Sequence, residues 1–213
     1  MAKVVAINGS PRSKWNTGTL VREAARGAEE AGAQVEVVDL YRLEHFTGCI
    51  SCFGCKRLDG DHVCIVKDGL APVLQSIREA DALILGSPVY LGEMTAAFRA
   101  LYERLIFQYI TYKTEIPSYN PKSIPCLFIV DSNAPYEAFD PGPYGAMVES
   151  YVNTMNGFVG PTQTLVVTET RQVKDYTPYE WTFFDAPARQ ERHETQFPQE
   201  CAKAYEMGAE LVR

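Results

Sequence analysis

The sequence predicts a three-layer α/β fold, a doubly wound parallel five-stranded sheet of order 2-1-3-4-5 with helices on both faces. Three observations predict it. Five short apolar runs rich in β-branched residues recur along the chain, and stretches with helical apolar period separate them. The third is the placing of the two loops that combine glycine, serine and proline before a helix: they follow the first and third runs, the strands that flank the switch point of such a sheet. Near-continuous apolar character suits strands covered on both faces, and strict alternation with helices implies right-handed crossovers.

The first strand is predicted at Lys3–Asn8 (KVVAIN). Thr17–Ala31 follows as a helix, because Leu20, Val21, Ala24, Ala25 and Ala28 fall on one side. Gln34–Asp39 (QVEVVD) is the second strand, Leu70–Arg78 a shorter helix, and Ala82–Gly86 (ALILG) the third strand. After Glu93, the positions of Met94, Ala97, Phe98, Leu101 and Leu105 mark another helix. Pro125–Val130 (PCLFIV) and Thr164–Thr168 (TLVVT) complete the strands, with helices expected at Tyr144–Asn156 and Gln199–Val212. Two long segments, 107–123 and 171–197, fall outside the repeat. Loops of that length are usually functional covers or arms; their tyrosines and tryptophan argue against disorder, and a subunit interface is the expected role. No repeat or linker marks a second unit, so one domain over residues 1–213 is expected, with a cysteine-rich loop at 48–64.

The chain has 213 residues, 46% of them hydrophobic, enough for one sizeable core. Its 27 acidic and 20 basic side chains leave a net charge of −7. There is no overall positive field for nucleic acid or an anionic membrane, so neither is expected as a partner. The N-terminus, MAKVVAINGS, has no export-signal pattern, and no run approaches the ~20 apolar residues of a membrane span. A cytoplasmic location is expected, where clustered cysteines serve metal or redox chemistry more than structural disulfides.

The first of the two loops reads Asn8-Gly9-Ser10-Pro11-Arg12-Ser13-Lys14-Trp15-Asn16-Thr17 and runs straight into a helix. Hydroxyls, an asparagine, close backbone approach and a helix N-terminus together make a phosphate cradle, although the same residues are also ordinary turn and cap formers. The second reads Gly86-Ser87-Pro88-Val89-Tyr90-Leu91-Gly92-Glu93-Met94. In the predicted strand order these loops meet in one crevice at the carboxyl ends of the strands.

In GSPRSKWNTGTL and GSPVYLGEMTAAFRALYERL the sequence resembles the NAD(P)H-dependent FMN reductase superfamily of flavodoxin-like proteins, over about the first 130 residues. The resemblance implies that Ser10, Arg12, Ser13, Asn16 and Thr17 surround the FMN phosphate, and that Pro88, Val89, Tyr90, Leu91 and Gly92 border the isoalloxazine. Arg12 and Lys14 are natural counter-charges to a phosphate. Asp131-Ser132-Asn133-Ala134 stands where a third flavin loop belongs but departs from the familiar form.

Cys49, Cys52, Cys55 and Cys64 have the spacing C-x2-C-x2-C-x8-C. Thiols at x2 spacing can turn inward onto one centre, which suits an iron-sulfur cubane better than the paired knuckles of structural zinc. Cluster-free thiols packed under a flavin and a zinc site remain alternatives. The motif resembles that of iron-sulfur flavoproteins, a branch of the same superfamily, whose members carry FMN and one [4Fe-4S] cluster per subunit and pass electrons across a homodimer interface. The last gap, eight residues, is longer than usual in that branch. Gly48, Gly54 and Gly60 are expected to lend the loop its backbone freedom.

His62 is expected to face solvent, His45 and His193 have no partner pattern, and Cys126 and Cys201 read as core residues. Asp131 lies at the functional edge or merely caps a turn. The expected function is an FMN-dependent electron-transfer oxidoreductase with a [4Fe-4S] cluster, with NAD(P)H as a candidate reductant, and it needs no side-chain acid or base. A cluster-free NAD(P)H-dependent FMN or quinone reductase is the alternative. The expected partners are a redox protein or a small-molecule acceptor, in a homodimer or homotetramer.

Overall fold

The structure, a computed structural model, describes residues 1–213. Its elements run β1 (Lys3–Asn8), α1 (Asn16–Glu30), β2 (Gln34–Asp39), α2 (Ala71–Glu79), β3 (Ala82–Tyr90), β4 (Glu93–Met94), α3 (Ala96–Tyr109), β5 (Cys126–Asp131), α4 (Pro143–Phe158), β6 (Thr162–Val167), α5 (Ala186–Thr195) and α6 (Phe197–Glu210). The main sheet has the order β2-β1-β3-β5-β6, with every neighbour parallel. β4 is a two-residue addition, antiparallel to the end of β3 at Val89 and Tyr90. With β4 set aside, the five parallel strands follow the expected order 2-1-3-4-5.

Three boundaries differ from expectation. β3 continues past Gly86 to Tyr90, because Ser87 and Pro88 stay in register with Val130 and Asp131 of β5. β6 begins at Thr162, two residues early, as its polar start pairs with Cys126 and Leu127. The segment 171–197 contains a helix, α5, where only a loop was expected; Asp185 caps it by accepting from the Ala188 amide, and a proline stands in its first turn.

Successive residues of a strand point to opposite faces, and the core divides accordingly. Val5, Ile7, Leu83, Leu85, Phe128 and Val130 pack with α2, α3 and α4 through Ile77, Phe98, Leu101, Leu105 and Met155. Val4, Ala6, Ile84, Leu127 and Ile129 face the other way, onto Leu20, Val21 and Ala24 of α1 and Phe197 and Ala204 of α6. Burying each large aliphatic or aromatic side chain here contributes roughly 1.5–3 kcal/mol.

The second layer depends on close helix contact. A Cβ built on Gly27 of α1 would stand 1.9 Å from the carbonyl oxygen of Tyr205, and one on Gly208 of α6 would stand 1.9 Å from that of Ala24. Gly27→Ala is therefore expected to destabilise the fold by about 1–3 kcal/mol through overpacking, although alanine is the better helix former by about 1 kcal/mol. A chemical-denaturation midpoint that stays level or rises would show that the helices cross less tightly.

Candidate functional site

The loops after β1 and β3 are tied together before either can reach a ligand. The Gly9 amide donates to the carbonyl of Gly86 at 2.7 Å. Thr95, the N-cap of α3, donates its hydroxyl to the carbonyl of Gly9 at 2.6 Å and accepts from the Phe98 amide, while its own amide donates to Ser87 Oγ. All these groups are buried, so each bond replaces one to water and its loss would leave an unpaired polar group. Farther along the turn, Tyr151 of α4 donates to Glu93 at 2.6 Å and accepts from Arg99. Burial and then the bond to Glu93 push the Tyr151 hydroxyl up, against the opposing pull of Arg99, so it stays a donor.

An open cavity of about 380 Å³ lies at this carboxyl edge. Arg12 and Asn16 wall it from the first loop, Pro88, Val89, Tyr90 and Leu91 from the second, and Asp131, Ser132 and Asn133 from the end of β5. Thr170, Arg171 and Gln172 close it from the segment after β6. No side chain caps the start of α1, so its first-turn amides have no internal acceptor and the positive end of the helix dipole is open to an anion. Leu91 and Gly92 both take positive φ, 54° and 82°, and form the tight turn that brings β4 back alongside the end of β3.

The residues named from sequence divide into two groups. Arg12, Asn16, Pro88, Val89, Tyr90 and Leu91 line the cavity; Ser10, Ser13, Thr17 and Gly92 do not. Ser10 is buried and accepts from the Arg12 amide, which shapes the loop. Ser13 is held from outside, its hydroxyl by Arg42 and its carbonyl by Arg22. Thr17 turns its hydroxyl onto Asp131. The strap was not legible in sequence: the Arg171 carbonyl accepts from Trp15 Nε1 and Asn16 Nδ2, the Gln172 carbonyl accepts from Arg12, and the Arg171 guanidinium lies over the Trp15 ring.

Asp131 is 4% exposed and no cation is paired with it. It accepts from Thr17 and from Thr170 at 3.4 Å. Burial pushes its carboxyl up to about 6 from 3.8, against the opposing pull of those two hydroxyls and of Arg12.

Cys49, Cys52, Cys55 and Cys64 all wall one narrow apolar pocket of about 20 Å³, together with Phe53, Ile65 and Phe107. They are free thiols, and no three metal-binding side chains converge as a preformed ligand set. The donor chemistry nevertheless suits an iron-sulfur group: four soft sulfur ligands, apolar walls and nearby N–H donors. Burial raises the Cys55 thiol, with the neighbouring Lys56 opposing it, so holding a metal there entails releasing the proton.

The loop is pinned by α3. Glu103 accepts from the Cys49 amide at 3.2 Å and Gln108 from the Cys64 amide at 3.1 Å. Arg104, 1% exposed, donates through Nε to Cys64 Sγ at 3.3 Å, through Nη1 to both oxygens of Asp68 at 2.7 Å and to the Thr47 carbonyl, and through Nη2 to the Val66 carbonyl. Lys56 donates to the carbonyls of Phe107, Gln108 and Ile110, capping the C-terminal end of the same helix. His62 does not simply face solvent: it stacks on Tyr119 with centroids 3.7 Å apart. Nor do the glycines supply the unusual backbone. The positive φ values belong to Ser51, Phe53 and His62, while a Cβ on Gly54 would collide with Ile65 at 2.2 Å, so close packing is what that glycine permits. The sequence signal for Arg104 was its place between Leu101 and Leu105, a charge inside an apolar stripe.

Residues 2–120 match the model of a family described as NADPH-dependent FMN reductase. An iron-sulfur flavoprotein of Methanocaldococcus jannaschii is 40% identical over 102 residues, covering 48% of this chain and 51% of that protein. One from Archaeoglobus fulgidus is 36% identical over 104 residues, 48% of each chain. The match thus spans about half the length of these curated relatives. Among solved structures, an NAD(P)H:quinone oxidoreductase from Methanothermobacter marburgensis superposes with a TM-score of 0.74 at 14% identity, covering 99% of this chain and 98% of that one. An FMN-dependent NADH-azoreductase from Bacillus anthracis, solved in complex with FMN, gives 0.67 at 13% identity, covering 99% and 100%. These structural likenesses establish the flavodoxin-like fold.

Asp131 generates a pH prediction. A carboxyl whose folded pKa is raised contributes stability below its unfolded value of 3.8 and loses it as pH rises through about 6. Two units correspond to roughly 3 kcal/mol, so Asp131→Asn, which keeps an acceptor for Thr17, is expected to be the more stable protein at pH 7.5, with the advantage vanishing below pH 4. Denaturation curves across that range check it; parallel profiles for the two proteins would mean that Asp131 is not titrating in the fold.

Proposed function

The chain belongs to the NADPH-dependent FMN reductase family, and on that premise we propose that it is an FMN-dependent electron-transfer oxidoreductase carrying a [4Fe-4S] cluster on Cys49, Cys52, Cys55 and Cys64. The observation that carries the reading is the single cavity walled jointly by Arg12 and Asn16 and by Pro88, Val89, Tyr90 and Leu91, because a flavin mononucleotide needs a phosphate cradle and a ring edge side by side. The thiol pocket and the iron-sulfur flavoproteins among the relatives support the cluster.

In this reading the first-turn amides of α1, with Arg12 and Asn16, receive the phosphate, Ser10 and Ser13 hold the shape of the loop around it, Thr17 holds Asp131, and the turn from Pro88 to Leu91 borders the ring. FMN exchanges a hydride or single electrons, and an iron-sulfur group exchanges one electron at a time. The chain's own part is orientation and shelter. Arg12 leaves the Gln172 carbonyl for the phosphate; the Arg171–Gln172 strap keeps water from that end; and Asp131, kept off the phosphate by Thr17 and Thr170, limits repulsion when it holds its proton. NAD(P)H or a redox protein is the proposed electron source, and a small molecule or protein the acceptor. No helix is long and apolar enough to cross a membrane, and we place the protein in the cytoplasm, where a thiol-held cluster survives. Ile50, Phe53, Ile65 and Tyr112 leave an exposed apolar rim around the thiol pocket, which a second copy in a homodimer or homotetramer would cover.

A cluster-free FMN or quinone reductase is the second reading, favoured by the lack of a preformed set of three converging thiols. Anaerobically purified protein separates the two. About one FMN with about four irons and four acid-labile sulfides per chain is expected; FMN alone would select the second reading, and a colourless protein holding neither would reject both. Arg12→Ala is expected to weaken FMN binding roughly tenfold to a hundredfold, the scale of one charge-assisted hydrogen bond, while leaving binding of phosphate-free riboflavin unchanged. An equal loss for both ligands would remove Arg12 from the phosphate.

A further inference from the structure

Gln108 is 2% exposed and lines the thiol pocket. Its Oε1 accepts the Cys64 amide at 3.1 Å, which fixes the orientation of the side-chain amide. Its Nε2 is then left buried without any partner. A buried amide donor left unpaired is a standing cost, and Gln108 stands between the thiol pocket and a second cleft beside Cys64, so a group held in the thiol pocket would supply the missing acceptor. One turn back on the same helix, Arg104 Nε donates to the Cys64 sulfur at 3.3 Å. The charge of that guanidinium is offset by Asp68 at 2.7 Å, so its effect on the sulfur is that of a directed N–H more than of a free cation.

We propose that Arg104 and Gln108 are positioning residues for the redox centre at the cysteine loop: they orient Cys64 and direct N–H donors from one face of α3 at the sulfur atoms of the group held there, raising its reduction potential. The physical reason is general. Reduction adds negative charge that spreads onto the sulfurs, and a donor already aimed at them stabilises the reduced state more than the oxidised one. Cys64 differs from the other three thiols in having its sulfur and its amide held by the same helix, so the potential is set through this ligand. The inference rests on the proposed cluster.

The test is a redox titration of anaerobically purified protein, followed by the electron paramagnetic resonance of the reduced cluster, for wild type, Gln108→Leu and Arg104→Lys. Gln108→Leu is expected to keep its iron, sulfide and FMN content and the FMN potential. Its cluster should be harder to reduce by about tenfold in the reduction equilibrium, which is about 59 mV lower for a one-electron couple. Arg104→Lys keeps the charge but loses the fork, and should shift the potential in the same direction if it folds. An unchanged cluster potential in iron-replete Gln108→Leu overturns this inference and leaves the cluster standing. Wild-type protein without iron or sulfide overturns the cluster itself, and the inference with it.

Discussion

A single buried guanidinium constrains both ends of the site. Arg104 sits in the apolar face of α3, and removing a partner from a buried ion pair costs about 3–5 kcal/mol, so the chain between β2 and α2 has to bring it acceptors. It does so from both sides of the cysteine motif, with Thr47 before it and Cys64, Val66 and Asp68 at and after its end. The loop is thereby closed onto the helix. The same helix begins at Thr95, whose hydroxyl holds Gly9 and whose amide holds Ser87. Arg104 lies nine positions after Thr95, about 14 Å along a helix axis. One rigid element therefore sets the spacing between the cavity at the carboxyl edge and the thiol pocket.

The fold was legible where local pattern and global need coincide. β1 and β2 lie where the sequence puts them, because both are rich in valine or isoleucine and each has one sharp boundary, Gly9-Ser10-Pro11 after β1 and Gly32 before β2. β3 was cut short at Gly86 because Gly-Ser-Pro reads as a turn; only the neighbouring β5, in register through Asp131, keeps those residues extended. α5 escaped for the opposite reason. It buries Arg189 rather than an apolar stripe, and is tied down by ion pairs, Arg189 with Glu169 and Arg192 with Glu200. Apolar periodicity has nothing to detect in such a helix, though the Asp185-Ala186-Pro187 start was a readable cap.

The site was legible to the extent that its parts are contiguous. The two loops and the cysteine spacing stand out because each is a short run of unusual residues. What completes them comes from far along the chain: Arg171 meets Asn16 across 155 positions and Gln108 meets Cys64 across 44. No spacing rule pairs such residues, since the sheet order and the handedness of the crossovers bring them together only after folding. Asp131 shows the same limit. Its position at a strand end was visible, but its burial depends on Thr17 and Thr170 closing over it.

The left-handed residues of the cysteine loop then acquire a meaning. Ser51 and Phe53 hold positive φ on either side of Cys52, a conformation that costs of order 1–3 kcal/mol for residues other than glycine and persists only where the surroundings impose it. Those surroundings are unevenly distributed. Arg104 fixes Cys64, Lys56 fixes the turn after Cys55 by gripping the end of α3, and His62 is stacked on Tyr119, whereas Cys52 is exposed and Cys49 is held only by its amide. Two thiols are thus anchored to the helix, and two ride on a strained segment with few bonds of its own. On the proposed reading, gathering all four onto one centre would draw mainly on the segment between Cys49 and Phe53, while the anchored pair keeps its relation to α3 and, through Thr95, to the cavity at the carboxyl edge of the sheet.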